Sequence, residues 1–316
     1  MDGANTKPYH IPDDAVWFIT GCSSGIGHAL VNHLATHHPT HRIVATARNP
    51  ATLSFPAAEN NNILALPLDV TSPASINAAL HATLTHFHRI DILVNNAGYT
   101  LVGDTETAAD AESRALFDTN FWGLVDVTKR VLGIMRDENP QHGCRQQGGV
   151  ILNLSSMGGF IGFPGSAFYH ASKFAVEGWT EALARELPVQ WNIHLCNIEP
   201  GGVKTNYATT SLKTMVNGRH PAYADPSYPT NTLVEYMSHE ENRRSWAEPE
   251  AIARGMVAVV SRGARIPIRV PLGADAFGMI SLELESIRRD LGEVKGISLG
   301  VGGAEQLDSV GFLQRE

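Results

Sequence analysis

The stretch "AVWFITGCSSGIGHALVNHLATHH", residues 15–38, decides the fold. Its first five residues are continuously apolar, glycines stand at 21, 25 and 27, and Ile26, Leu30 and Leu34 then recur at helical spacing. This is a strand, a glycine turn and a helix. A strand apolar on both faces belongs inside a parallel sheet, where helices cover both of its sides. Glycine lets a backbone approach a pyrophosphate closely, and a helix start offers unpaired N–H groups at the positive end of its dipole. Gly21, Ser23, Ser24, Gly25, Ile26 and Gly27 are therefore read as a phosphate-binding turn. The spacing Gly-x-x-x-Gly-x-Gly differs from the Gly-x-Gly-x-x-Gly fingerprint of dinucleotide folds, and an ordinary tight connection accounts for it equally well.

Outward from this unit the pattern repeats. "RIVATA" (42–47) and "NILALPL" (62–68) read as buried strands, and "SPASINAALHATLTHF" (72–87) as a helix with Ser72 as cap and Pro73 in its first turn. "DILVNNAG" (91–98) is a strand closing in a turn, 109–136 a long helical stretch, and "GGVILNLSS" (148–156) a further strand. A helix over 168–187 and the strand "NIHLCNI" (192–198) follow; helices near 249–261 and 275–292 flank "RIPIRV" (265–270). Such alternation predicts an α/β fold, doubly wound, with a mostly parallel sheet and helices on both faces. One domain over 15–295 is expected, after an N-terminal extension of residues 1–14. Residues 206–247 interrupt the alternation, are rich in Pro, Tyr, Thr and Asn, and are expected to form a lid over a substrate. Residues 296–316 read as a loosely held tail.

Composition narrows the partners. Twenty-four basic against 32 acidic side chains give a net charge of −8, which argues against a nucleic-acid surface. No apolar run approaches the roughly 18 residues of a membrane span. The opening "MDGANTKPYHIPDD" lacks the apolar centre of a secretory signal, so a cytoplasmic location is expected. Cys22, Cys144 and Cys196 are odd in number and lack metal-like spacing, so reduced thiols are expected. His33 and His37 stand at helical i,i+4 spacing without a third ligand; they are read as surface residues and no metal is expected. A small-molecule partner is left.

"FYHASKFAVEG" (168–178) supplies the chemistry. Tyr169 and Lys173 lie one above the other on a helix, presenting a phenol and an ammonium to one point. Bringing a phenol from near 10 to about 7 requires roughly 4 kcal/mol of preferential stabilisation of phenolate, which a neighbouring cation can supply. Taken alone, the pair is equally an aromatic residue beside a surface lysine. Ser155 and Ser156, at the end of "VILNLSS", can each hydrogen-bond a substrate oxygen. Asn120 stands inside a helical pattern, where asparagine has poor propensity.

Together, Gly21, Gly25, Gly27, "NNAG" (95–98), Asn120, Ser156, Tyr169 and Lys173 resemble the single-domain short-chain dehydrogenase/reductase family, in its branch of hydroxysteroid dehydrogenases and ketoreductases. The resemblance runs from about residue 15 to about 205, and more weakly to 290. It implies a Rossmann-type sheet of seven strands. Tyr169 is implied as proton donor or base, Lys173 as the cation that lowers its pKa and holds the nicotinamide ribose, and Ser156 rather than Ser155 as the substrate-oxygen partner. Asn120 is implied to bind a water linking Lys173 to solvent. Asp69, Val70, Asn95, Ala97 and Gly98 are implied around the adenosine. Pro200, Gly201, Val203 and Thr205 are implied at the nicotinamide end, with Ile198 beside the ring. The second strand ends in Ala47 and Arg48, without the acid that suits the free ribose of NAD; Arg48 therefore points to NADP(H), or else is a solvated charge.

The expected activity is NADP(H)-dependent interconversion of a ketone and a secondary alcohol. Phe160, Phe163 and Phe168, with Tyr207, Met215, Tyr223, Tyr228, Tyr236 and Met237 in the lid, suit an apolar steroid, polyketide or lipid-like substrate. A non-catalytic NADP(H)-binding scaffold, or an epimerisation or reductive cyclisation at the same site, stay open as alternatives. The helical stripes in 111–134 and around Tyr169 suit pairing into a homodimer or homotetramer.

Overall fold

A computed structural model describes residues 3–55, 62–142, 148–205, 212–303 and 305–313. The first unit is β1 (Val16–Ile19), the glycine turn and α1 (Gly25–His37). β2 (Arg42–Ala47), β3 (Ile63–Pro67), α2 (Pro73–Phe87) and β4 (Ile92–Asn95) follow. Ser72 caps α2, accepting from the Ser75 N–H at 3.3 Å, and Pro73 occupies its first turn. A short strand β5 (Thr100–Val102) precedes α3 (Asp110–Phe117), α4 (Leu124–Gly133), β6 (Gly149–Leu154), α5 (Ala167–Glu186) and β7 (Ile193–Pro200). Then come β8 (Leu212–Thr214), α6 (Pro229–Ser238), α7 (Glu240–Arg243), α8 (Pro249–Ser261), β9 (Arg269–Leu272) and α9 (Ala274–Glu293).

Seven strands form one sheet in the order β3-β2-β1-β4-β6-β7-β9, with every neighbouring pair parallel. The strand alternation divides the core into two layers. Trp17 and Ile19 pack with Leu30 and Leu34 of α1 and Met256 of α8, while Val16 and Phe18 pack with Ile76 of α2 and Val127 of α4. Chain order reverses direction across the sheet between β1 and β4, and that crevice is where open α/β sheets bind ligands.

Four local readings change. The helical stretch 109–136 is broken by π-helical turns at Asp118–Gly123 and Ile134–Glu138. "RIPIRV" joins the ladder only at Arg269, because Ile266 and Ile268 are buried as core on the way in. In the interval 206–247, the described residues carry β8, α6 and α7, and β8 pairs with β5 in a separate two-stranded sheet. Helices at Lys295–Gly300 and Glu305–Ser309 occupy the stretch read as a tail. Tyr207 and Cys144 lie outside the described residues.

Candidate active site

A cavity of about 910 Å³ opens at the carboxyl ends of the strands. Gly21, Ser23, Ser24, Gly25 and Ile26 line one end, and Leu233, Tyr236, Met237, Trp246 and Met279 line it elsewhere. Gly21 and Gly25 have φ of +73° and +62°, a region that favours glycine. Gly27 does not line the cavity; a Cβ there would lie 2.5 Å from Asn96 Nδ2 and 2.7 Å from the Gly21 carbonyl oxygen. Its bare backbone lets α1 settle against the turn. Ser24, at the N-cap of α1, makes no side-chain capping bond, so the first-turn N–H groups keep their capacity for an anion. The turn thus fits a dinucleotide phosphate.

Asn96 fixes this turn. Its side-chain nitrogen donates to the Thr20 and Gly21 carbonyls, both at 2.9 Å, while Thr20 Oγ1 accepts from the backbone N–H of Asn96 at 2.9 Å and of Ala97 at 3.0 Å. Asn95 points the other way. It is buried, and its amide donates to Thr128 at 2.8 Å and to Asn153 at 2.9 Å instead of lining the cavity. Ala97, Gly98, Asp69 and Val70 do line it. Asp69 Oδ1 is engaged by the N–H and hydroxyl of Thr71 at 2.9 and 2.7 Å. Arg48 lies exposed at the cavity wall, with no ion pair to an acid among the described residues.

Tyr169, Lys173, Ser155 and Ser156 come together around the cavity. Lys173 is buried; its Nζ donates to the Leu154 carbonyl at 2.6 Å and lies 5.7 Å from the centre of the Tyr169 ring. Burial pulls the amine down to about 8, with Glu177 opposing. The phenol of Tyr169 is pushed up by burial, against the pull of the Ser156 and Thr100 hydroxyls. The net shift is therefore upward, against the lowering expected from Lys173, because burial outweighs the two hydroxyls. The two serines separate by partner. Ser156, which accepts from the Gly158 N–H at 3.0 Å, acts on Tyr169, whereas the Ser155 hydroxyl is buried beside Glu177 without a hydrogen-bond partner.

Asn120 sits in the π-helical turn and does not line the cavity. Its carbonyl accepts from the Tyr99 N–H at 3.0 Å, and its nitrogen donates to the Tyr99 carbonyl at 2.8 Å and to Ser172 Oγ at 3.2 Å. The amide is committed to the loop after β4. Pro200, Gly201, Val203 and Thr205 line the cavity; Ile198 is wholly buried in β7 and does not. Asp275, absent from the sequence reading, accepts from the Gly202 N–H at 2.7 Å and holds this loop to α9.

Of the aromatics named from sequence, Phe163 and Tyr236 line the cavity together with Met237. Met215 is buried beneath Gly103, and Tyr223 and Tyr228 are exposed. Leu233, Trp246, Met279 and Lys213 join the lining, and Lys213 Nζ lies 4.1 Å from the centre of the Tyr99 ring. His33 and His37 stack on one another with ring centres 4.5 Å apart.

A family model described as short chain dehydrogenase matches residues 15–215. The chain belongs to the short-chain dehydrogenase family. It is 45% identical over 301 residues to the oxidoreductase CalM of Penicillium decumbens, covering 94% of this chain and 96% of that one. It is 32% identical over 256 residues to a 3-ketodihydrosphingosine reductase of Bacteroides thetaiotaomicron, covering 81% and 86%. Among solved structures, a short-chain dehydrogenase from Streptomyces avermitilis matches with a TM-score of 0.78 at 31% identity, over 91% of this chain and 100% of that one. The chain is accordingly an oxidoreductase of this family. No helix among the described residues is long and apolar enough to cross a membrane.

Proposed function

We propose that this short-chain dehydrogenase interconverts a ketone and a secondary alcohol on an apolar substrate, using NADP(H). The observation that carries the reading is the convergence of Tyr169, Lys173 and Ser156 on one cavity whose other end is the glycine turn. Gly21, Ser23, Ser24, Gly25 and Ile26 would hold the pyrophosphate, Asp69, Val70, Ala97 and Gly98 the adenosine, and Pro200, Gly201, Val203 and Thr205 the nicotinamide end. The bound dinucleotide supplies or accepts the hydride at the carbonyl carbon.

The chain's own residues manage the proton. In reduction, Tyr169 gives its phenolic proton to the carbonyl oxygen, and a neutral phenol is the form that burial favours. Lys173 stabilises the phenolate left behind. Ser156, beside the phenol, hydrogen-bonds the substrate oxygen and stabilises its developing charge. Asn120 fixes the Tyr99 backbone and, through Ser172, the helix that carries the pair. Arg48 favours NADP(H), because a guanidinium at the end of β2 suits a ribose 2′-phosphate.

Phe163, Leu233, Tyr236, Met237, Trp246 and Met279 give the substrate region its apolar character, which supports a ring system or long chain. The 3-ketodihydrosphingosine in the name of one relative agrees with that class. Residues 206–247 act as the substrate lid, in a catalytic domain spanning 15–295 in the cytoplasm. Exposed Trp122 and Phe174, 56% and 46% accessible and next to the α4–α5 cluster, suit pairing with a second copy. The test is NADPH oxidation across steroid, aryl and long-chain ketones with product identification. Binding of NADPH without reduction of any of them supports a cofactor-binding scaffold instead.

A further inference from the structure

One helical turn beyond Lys173, Glu177 is also buried, and it shares the Arg269 guanidinium with a second buried carboxyl, Glu199 of β7; the two are 4% and 1% accessible. A Cβ on Gly159 would run into Ser155 Oγ and lie 3.0 Å from Glu177 Cγ and 3.2 Å from the Lys173 carbonyl oxygen, so this cluster adjoins the Tyr169–Lys173 helix turn directly. Asn197 Nδ2 donates to Glu177 Oε2 at 2.6 Å. Arg269 shares itself widely: Nη2 donates to Glu181 at 2.7 Å, while Nε lies 3.2 Å from Glu177 Oε2 and 3.9 Å from Glu199 Oε1. Glu177 Oε1 and Glu199 Oε1 are buried without a hydrogen-bond donor.

Ionised carboxylates only accept, so two of them beside one guanidinium can bond each other only through an added proton. Lys173 and Arg269 face the pair, and Arg185 joins Arg269 on the partly exposed Glu181, donating to it at 2.6 Å. Cys196, with Arg262 beyond it, completes the groups around the pair, and burial keeps its thiol neutral.

We propose that Glu177 and Glu199 share one proton, and that the single negative charge left on the pair holds Lys173 in its ammonium form, making the pair a positioning element for Tyr169 and Lys173. The second half rests on the reading of those two residues as the acid/base couple. Burial and the neighbouring Glu177 push Glu199 up, Glu177 is itself pushed up by burial, and Glu177 opposes the downward pull of burial on Lys173. No proton need leave the pair during turnover.

Two measurements on the full chain separate the halves. Infrared spectra at pH 7 without added nucleotide should show a protonated-carboxyl stretch that moves in deuterium oxide and is lost in both Glu177→Gln and Glu199→Gln, because either remaining acid ionises. Absence of that band from the wild type, or its survival in both variants, overturns the shared proton. The alkaline limb of kcat/KM for NADPH-dependent reduction reads the coupling. Glu199→Gln concentrates the charge on Glu177, so the limb stays or rises; Glu177→Gln lowers it by about one pH unit, and Glu177→Asp restores it. A fall in Glu199→Gln shows that Glu199 was already ionised and overturns the sharing; an unmoved limb in Glu177→Gln overturns the coupling. Lack of NADPH-dependent turnover in the wild type defeats the catalytic reading and the coupling with it, and the infrared band still decides the proton.

Discussion

Lys173 holds its Nζ 5.7 Å from the centre of the Tyr169 ring while donating to the Leu154 carbonyl at 2.6 Å. The amine is thus anchored to the end of β6 and presented to the phenol by the same helix. Burial pulls it down to about 8, so it loses its proton as pH rises through that value. Reduction needs the ammonium to stabilise the phenolate, and kcat/KM for NADPH-dependent reduction should therefore decline above about pH 8. A profile flat well beyond that point contradicts the assignment.

Cofactor choice rests on Arg48. A charge-assisted contact to the 2′-phosphate is worth about 1.5–3 kcal/mol, or roughly ten- to a hundredfold. Arg48→Ala should lower kcat/KM for NADPH by that factor and leave NADH nearly unchanged. Steady-state kinetics with both cofactors checks this; equal losses, or a wild-type preference for NADH, would show that Arg48 is not the selector.

Asn96 holds the phosphate turn through two carbonyls, at Thr20 and Gly21. Asn96→Ala leaves both without their donor, which should cost about 1–3 kcal/mol of stability in urea unfolding. Dinucleotide affinity should fall as well, since the turn loses its brace. Unchanged affinity by NADPH fluorescence titration would mean that the glycines alone set the turn.

His194 gives an acid limb to stability. It is buried with Nδ1 unpartnered, and burial pulls its ring from 6.5 down to about 4. Between those values the unfolded chain binds the proton and the folded chain does not, so stability falls as pH falls through this window. The loss should reach about 3 kcal/mol at pH 4, and His194→Gln should lack this contribution. Urea unfolding of both proteins at pH 7 and pH 4 measures the difference; parallel losses would rule it out.

The elements were legible where local pattern determines them. Gly21, Gly25 and Gly27, and the pairing of Tyr169 with Lys173, depend on spacing within one turn or one helix, and apolar runs identify strands buried on both faces. What was hidden depends on distant partners. "NN" at 95–96 does not say which amide faces the glycine turn; that follows from the strand's pleat against Thr20, about 75 positions away. Asp275 acquires its role from Gly202, and the π-helical turn at Asn120 from its bonds to Tyr99 and Ser172. The net rise of the Tyr169 pKa was equally illegible, because a motif records the cation but not the burial that opposes it.

The most direct test is turnover of NADPH and an apolar ketone by Tyr169→Phe, alongside NADPH fluorescence titration of wild type and variant. Removing the phenolic proton should cut kcat by about two to four orders of magnitude and leave NADPH binding intact, as expected for loss of a general acid. Undiminished turnover in the variant would contradict proton transfer by Tyr169, and with it the proposed mechanism.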